Sequence, residues 1–409
     1  MAIGVSAGNL LTAVVAARLL GIEDFGAFSI VRGTVYMMVS IAGLGIGLTA
    51  TRYIAEMKTA QPERLGKVLG LCELSAWGSG LFFALLFLCL APQIAEQSLN
   101  APQVTGQLRL ASVYILFISF NFYQIGVLNG FEAFLPQAKI SFVQALLSLV
   151  FTASLTWWLA LDGAALSLGL AAMANCILYQ MAIHRELKSW NIVIYYRQLR
   201  SESDVLSGFT LPAALAAVIG ALTMWSGSAC LVRQADGLAQ MAVFTAAGNV
   251  RSLIMFIPEL VTKVASPILC SLAGEQNQSG YSRVFWINLT IVAGSSLVVA
   301  VLLTLAGPWL MALFGRSFSN AGSAIVLAVA AGAVVEVIAN TLYQPIYVRG
   351  RLWWQVGIIS AWGVALNGIA ALTAPVWGAL GLAAAYLAAH LLSGALYVLA
   401  IFRLEKGKI

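Results

Sequence analysis

Charge is what this sequence has least of: 9% of its 409 residues are Asp, Glu, Lys or Arg, where soluble domains carry about 25%. That deficit excludes a globular core in water. The net charge of +6 is spread without a basic domain, so nucleic acid is not an expected partner. Histidine is scarce, with His184 and His390 far apart, and Cys72, Cys89, Cys176, Cys230 and Cys270 form no C-x-x-C. The cysteines read as small buried hydrophobes, and neither a disulfide framework nor a metal site is expected.

Catalytic signatures are missing as well. No G-x-x-x-x-G-K-[ST] occurs, which excludes ATP hydrolysis through that phosphate loop, and no cofactor is implied. A membrane-embedded glycosyltransferase needs carboxylates or a metal site and a loop that holds its acceptor. The acidic residues include no D-x-D, and their adjacent pair, Glu23-Asp24, falls in a short turn where solvation explains it. The longest external connection runs only from Pro92 to Gln107. An enzyme is therefore not expected.

What is present is apolar length. Hydrophobic residues make up 61% of the chain, and windows of roughly 20 residues, enough to cross about 30 Å of hydrocarbon, follow one another from Met1 to Phe402. The chain reads as an all-α polytopic membrane protein. Punctuation by Gly, Pro and charge places twelve spans near 1–20, 27–50, 68–91, 108–129, 141–161, 163–183, 207–232, 241–265, 284–306, 321–346, 353–373 and 376–402. The opening MAIGVSAGNLLTAVVAARLLG lacks the charged start of a signal peptide and reads as a first spanning helix.

Positive charge sets the expected orientation. Connections after even-numbered spans, with the C-terminal tail, hold sixteen Lys and Arg residues, among them Lys58, Lys67, Arg185, Lys188, Arg349 and Arg351, against four on the other side, Arg18, Arg109, Arg233 and Arg316. Both termini are expected in the cytoplasm.

The most polar connection, 184–206, reads as a linker between an N-terminal lobe at 1–183 and a C-terminal lobe at 207–409. Its stretch WNIVIYYRQL has the composition of a helix lying in the membrane interface. The lobes resemble each other. Tyr123-Gln124 before Gly130 recurs as Tyr343-Gln344 before Gly350, an offset of 220, and Gly163-Ala164 recurs as Gly378-Ala379, an offset of 215. A six-plus-six duplication is expected, the copies related by an axis along the membrane normal.

A loop-poor duplicated membrane protein reads as a transporter whose lobes rock about a shared cavity. Two cations then need explaining. In FSIVRGTVYMMVSIAGLGIGLTA, Arg32 lies about 9 Å along the second span, and Arg251 lies about 15 Å along the eighth. An arginine at mid-membrane costs about 2.5–3.5 kcal/mol unless it meets a partner or a wet cavity. Facing a cavity, both favour an anion, and guanidinium suits pyrophosphate. The alternatives are snorkelling to the headgroups, or pairing of Arg251 with Glu259 or Glu336. Glu73 reads as solvated near an interface and His390 as a packed polar residue. Asn121, Tyr123 and Gln124, with Asn340, Tyr343 and Gln344, either line a sugar-binding chamber or hydrogen-bond helices together.

AARLLGIEDFGAFSIV (Ala16 to Val31), Gly43-Leu44-Gly45 and TATRYIAE (Thr49 to Glu56) leading into a basic loop resemble the opening of bacterial oligosaccharide flippases, the Wzx-like polysaccharide transporters of the MOP superfamily. The resemblance implies a V-shaped pair of six-helix bundles. It implies transfer of an undecaprenyl-pyrophosphate-linked oligosaccharide from the inner to the outer leaflet of the cytoplasmic membrane, for O-antigen, capsule or exopolysaccharide. Partners implied are that substrate, membrane lipids and other polysaccharide-assembly proteins. The cationic cavity common in the family matches Arg32 and Arg251 in kind, and Glu259 and Glu336 are candidates for ion coupling. Members carry a short leader before the first helix, which puts the start at Met1 in question. Rival readings are a cation-coupled drug exporter of the same superfamily, which would favour carboxylates at its site, and a membrane scaffold.

Overall fold

The computed structural model describes residues 2–43, 46–59, 61–196, 211–275, 277–319 and 322–406. Its helices are α1 (Ala2–Ala42), α2 (Ile46–Met57), α3 (Pro62–Gln93), α4 (Thr105–Gly130), α5 (Phe134–Ser189), α6 (Leu211–Val232), α7 (Gly237–Gly274), α8 (Gln278–Leu305), α9 (Gly307–Phe314), α10 (Arg316–Ser319), α11 (Gly322–Leu342), α12 (Gln344–Val348) and α13 (Leu352–Lys406). No strand occurs among the described residues. Nine helical stretches among them are long and apolar enough to cross a membrane.

Three of the longest helices are interrupted. Gly21 breaks α1, Ala160 breaks α5 and Gly378 breaks α13, each with non-helical backbone. Residues at home near a membrane surface gather there. Trp157 and Trp158 are exposed just before Ala160, Trp377 just before Gly378, and Glu23 and Asp24 just after Gly21.

The breaks also correct the expected repeat. Ala160 (φ 47°, ψ −126°) and Gly378 (φ 55°, ψ −129°) share one backbone conformation, so Gly378 is the counterpart of Ala160 and not of Gly163. Gly163 instead matches Gly381: each lies against a carbonyl from before its break, Leu155 O and Thr373 O, closer than a Cβ would allow. Local similarity of Gly-Ala pairs gave the offset of 215; chain geometry gives 218.

Polarity is inverted relative to a water-soluble protein. Trp158 is 83% exposed while the amides of Asn121 and Gln124 are fully enclosed. A lipid solvent explains both, because outward apolar surface costs nothing there and polar side chains find partners only inside. Of the cysteines, Cys72 and Cys176 are buried as expected, whereas Cys89 and Cys270 are exposed, since an outward thiol in hydrocarbon loses no hydration. All are free.

Contacts divide the chain into two compact units, Met1–Ala221 and Leu222–Ile409. The first is built around α4, where Leu65, Leu69 and Cys72 of α3 meet Tyr123, Val127, Tyr179 and Ile183. Trp77 stacks on Phe120 at 4.3 Å. The connection expected at 184–206 starts later: α5 continues to Ser189, Trp190 and Asn191 turn, and 192–196 is not helical. The interfacial helix expected in WNIVIYYRQL is therefore absent as far as Tyr196, and 197–206 lies outside the described residues. Instead the stretch lies along α3. Tyr195 N–H donates to Gly66 O at 3.1 Å, and the Val193 and Tyr195 carbonyls sit where Cβ atoms of Gly66 and Gly70 would be. Tyr196 Oη donates to Glu73 Oε2 at 2.9 Å, which gives Glu73 a partner where solvation was expected.

Candidate functional site

In the first unit Arg32 belongs to the α1 segment that follows Gly21. That segment starts at Ile22, earlier than expected, so Arg32 lies about 15 Å along it by helix rise. Its side chain is exposed, with Cζ 5.9 Å from the Phe28 ring centroid, and Tyr36, one turn on, is 57% exposed on the same face. No carboxylate lies within ion-pair distance of Arg32 among the described residues. Its hydrogen-bonding fork is therefore uncommitted among the described residues.

Arg251 is different. Its Nε donates to Glu336 Oε2 at 2.6 Å and its Nη2 to Glu336 Oε1, a two-point clasp between α7 and α11. His390 of α13 brings Nε2 to 3.7 Å from the same carboxylate. Aromatic rings wall the cluster: Trp362 lies 5.3 Å and Tyr386 6.3 Å from the His390 ring, and Phe244 packs on Tyr386 at 5.7 Å. The Glu336 and His390 side chains are 10% and 12% exposed while that of Arg251 is 33% exposed, so the acid is enclosed and the arginine keeps an open edge. Of the two expected acids only Glu336 joins; Glu259, about 12 Å further along α7, is exposed and outside the clasp.

Sequence reasoning missed His390 by treating it as packing. The signal was its setting: it stands in the apolar stretch 376–402, and ionisable groups within spanning helices seek one another.

The glycan-chamber residues divide. Asn121 Nδ2 donates to Ala172 O at 3.2 Å, Tyr123 Oη to Leu69 O at 3.3 Å, and Gln124 Nε2 to Cys176 O at 2.9 Å and to Gln180 Oε1 at 3.0 Å. With 0–1% of their surface exposed, these three tie α4 to α3 and α5 and line no open chamber. Gln344, 5% exposed, accepts from Asn288 Nδ2 at 3.0 Å and donates to Ser266 Oγ at 3.4 Å, a second helix-to-helix tie. Asn340 is exposed and Tyr343 half-buried, its ring 6.1 Å from that of Tyr397. No group of three or more His, Cys, Asp or Glu suited to a metal occurs among the described residues.

Residues 3–273 match the family profile described as polysaccharide biosynthesis protein. The chain belongs to that family. Among curated relatives, the EPS I polysaccharide export inner membrane protein EpsE of Ralstonia solanacearum is 23% identical over 362 residues, 86% of this chain and 79% of the relative. Among solved structures, an inward-facing multidrug-resistance MATE transporter of the MOP superfamily matches with TM-score 0.79 at 16% identity, over 98% of this chain and 96% of that one. The lipid II flippase MurJ in an inward closed conformation matches with TM-score 0.76 at 12% identity, over 97% and 85% of the two chains. The resemblance read from Ala16 to Glu56 is thereby borne out: the chain is a multi-pass membrane protein with the MOP-superfamily fold.

Proposed function

We propose that this family member is a flippase of the bacterial cytoplasmic membrane, moving an undecaprenyl-pyrophosphate-linked oligosaccharide from the inner to the outer leaflet by alternating access. The observation that carries the reading is Arg32: an arginine that keeps open surface deep in a spanning segment, with no acid partner among the described residues, is expensive unless an anion visits it. The curated relative named for polysaccharide export and the fold shared with a lipid II flippase support the substrate class.

Taking each of the three breaks as a turn at the membrane face turns nine stretches into twelve crossings, with an N-terminal lobe that runs on to Ser189, a C-terminal lobe at 207–409 and both termini in the cytoplasm. Arg32 docks the pyrophosphate. Arg251 is open to an anion only when Glu336 lets go, because a phosphate must displace a carboxylate already held at two points. Glu336 is thus the coupling acid in preference to Glu259, and His390 is the base that competes for it. Asn340 and Tyr343, which keep open surface, are the glycan contacts in preference to Asn121, Tyr123, Gln124 and Gln344.

Deleting the gene tests this. Lipid-linked oligosaccharide should accumulate on the cytoplasmic leaflet, shielded from a lectin added outside. Normal surface glycan with heightened dye sensitivity would replace the reading by a drug exporter, and no change in either by a scaffold.

A further inference from the structure

In the second unit a cavity of ~260 Å³ lies between the end of α7, the start of α8 and the turn after α12, lined by Leu272, Asn277, Gln278, Tyr281, Val348 and Arg349 among others. Tyr281 and Arg349, both on its wall, each carry a buried polar atom without a hydrogen-bond partner among the described residues, Tyr281 Oη and Arg349 Nη1. Buried donors are nearly always satisfied, so two orphans on one cavity mark a missing acceptor.

The charge identifies its kind. No Asp or Glu lines the cavity among the described residues, so none of them neutralises the Arg349 guanidinium there. Water satisfies a hydroxyl but cannot offset that charge; an oxyanion does both. Other features agree in sign. The 28-residue α8 begins at Gln278 and presents its positive end, while Asn277 turns Oδ1 back to accept from Gly280 N at 2.9 Å. The volume holds a phosphate group with a few waters, at about 30 Å³ per water, and is too small for an oligosaccharide.

We propose that this cavity is a phosphate-binding site in which Arg349 and Tyr281 both donate to the oxyanion. The phosphate is that of an anionic phospholipid headgroup or free inorganic phosphate. Because the claim concerns binding by this chain, it stands or falls apart from the transport reading.

The test is thermal unfolding of the purified full chain in two arms. In detergent, inorganic phosphate is titrated against chloride at equal ionic strength; in nanodiscs, phosphatidylglycerol is compared with an uncharged, phosphate-free glycolipid in phosphate-free buffer. The wild type should melt higher with phosphate, with phosphatidylglycerol, or with both; the arm that responds names the source. Arg349→Gln should weaken the response tenfold or more, and Tyr281→Phe and Arg349→Lys severalfold. If Arg349→Gln does not fold, the other two variants decide. No response of the wild type in either arm, or an undiminished response in the folded variants, overturns the site and leaves the cavity to water.

Discussion

Glu336 receives both hydrogen bonds that Arg251 offers and has His390 Nε2 3.7 Å from one of the same oxygens. One carboxylate thus stands between two bases, and removing it leaves a guanidinium without an acid in a low-dielectric setting. Glu336→Ala should destabilise the protein by about 3 kcal/mol, the lower part of the range for broken buried pairs, because Arg251 retains an open edge. Arg251→Met combined with Glu336→Leu should recover most of that loss in a detergent melt. The double variant should still fail to export glycan if the pair also couples transport.

Arg32 has no such partner, so its removal is expected to spare the fold. Arg32→Ala should leave abundance and melting temperature near wild type while surface glycan falls severalfold or more, and Arg32→Lys should be intermediate, since it keeps charge but loses the two-point fork. Immunoblots and glycan staining from the same cells separate the two effects. Full export by Arg32→Ala would remove the residue from the transport path.

The paired breaks in α5 and α13 make opposite predictions. Ala160 holds a backbone conformation at φ 47° that favours glycine, so Ala160→Gly should stabilise by about 1 kcal/mol once glycine's extra chain entropy is counted. Gly378→Ala should cost roughly 1–3 kcal/mol from backbone strain alone. It should also displace Gln240, whose Oε1 accepts from Ala379 N–H at 3.0 Å and would lie 2.5 Å from the new Cβ. Unfolding curves of the two variants should move in opposite directions.

Gly66→Val and Gly70→Val should lift 192–196 from α3, because the Val193 and Tyr195 carbonyls lie 2.0 and 2.1 Å from where a Cβ would stand. Limited proteolysis should then cut at Tyr195 or Tyr196 faster than in wild type, with the rest of the unit unchanged. Equal cleavage rates would show that the stretch is held otherwise.

Much of this was legible beforehand. Spans could be read because hydrocarbon demands long apolar helices whatever their neighbours, and Arg32 and Arg251 stood out because charge is rare in such windows. The family was readable from Ala16 to Glu56. What stayed hidden depends on which helix faces which. Nothing local distinguishes Glu259, eight residues from Arg251 along the same helix, from Glu336 on another, and His390 lies further off still in the chain. Likewise Asn121 and Gln124 have the side chains of a sugar site, and only packing against α5 shows them spent on backbone carbonyls. The wrong partner for Gly378 arose because a Gly-Ala pair is common in helices, whereas a positive φ is not.

The stitching of 192–196 onto α3 has a mechanical meaning. The stretch leaves α5 and is held at Gly66 and Glu73, so α3 shares the restraint of a segment that sequence order assigns to α5 alone. The same helix carries Trp77 against Phe120, so freeing the two anchors should release 192–196 while leaving that stack intact.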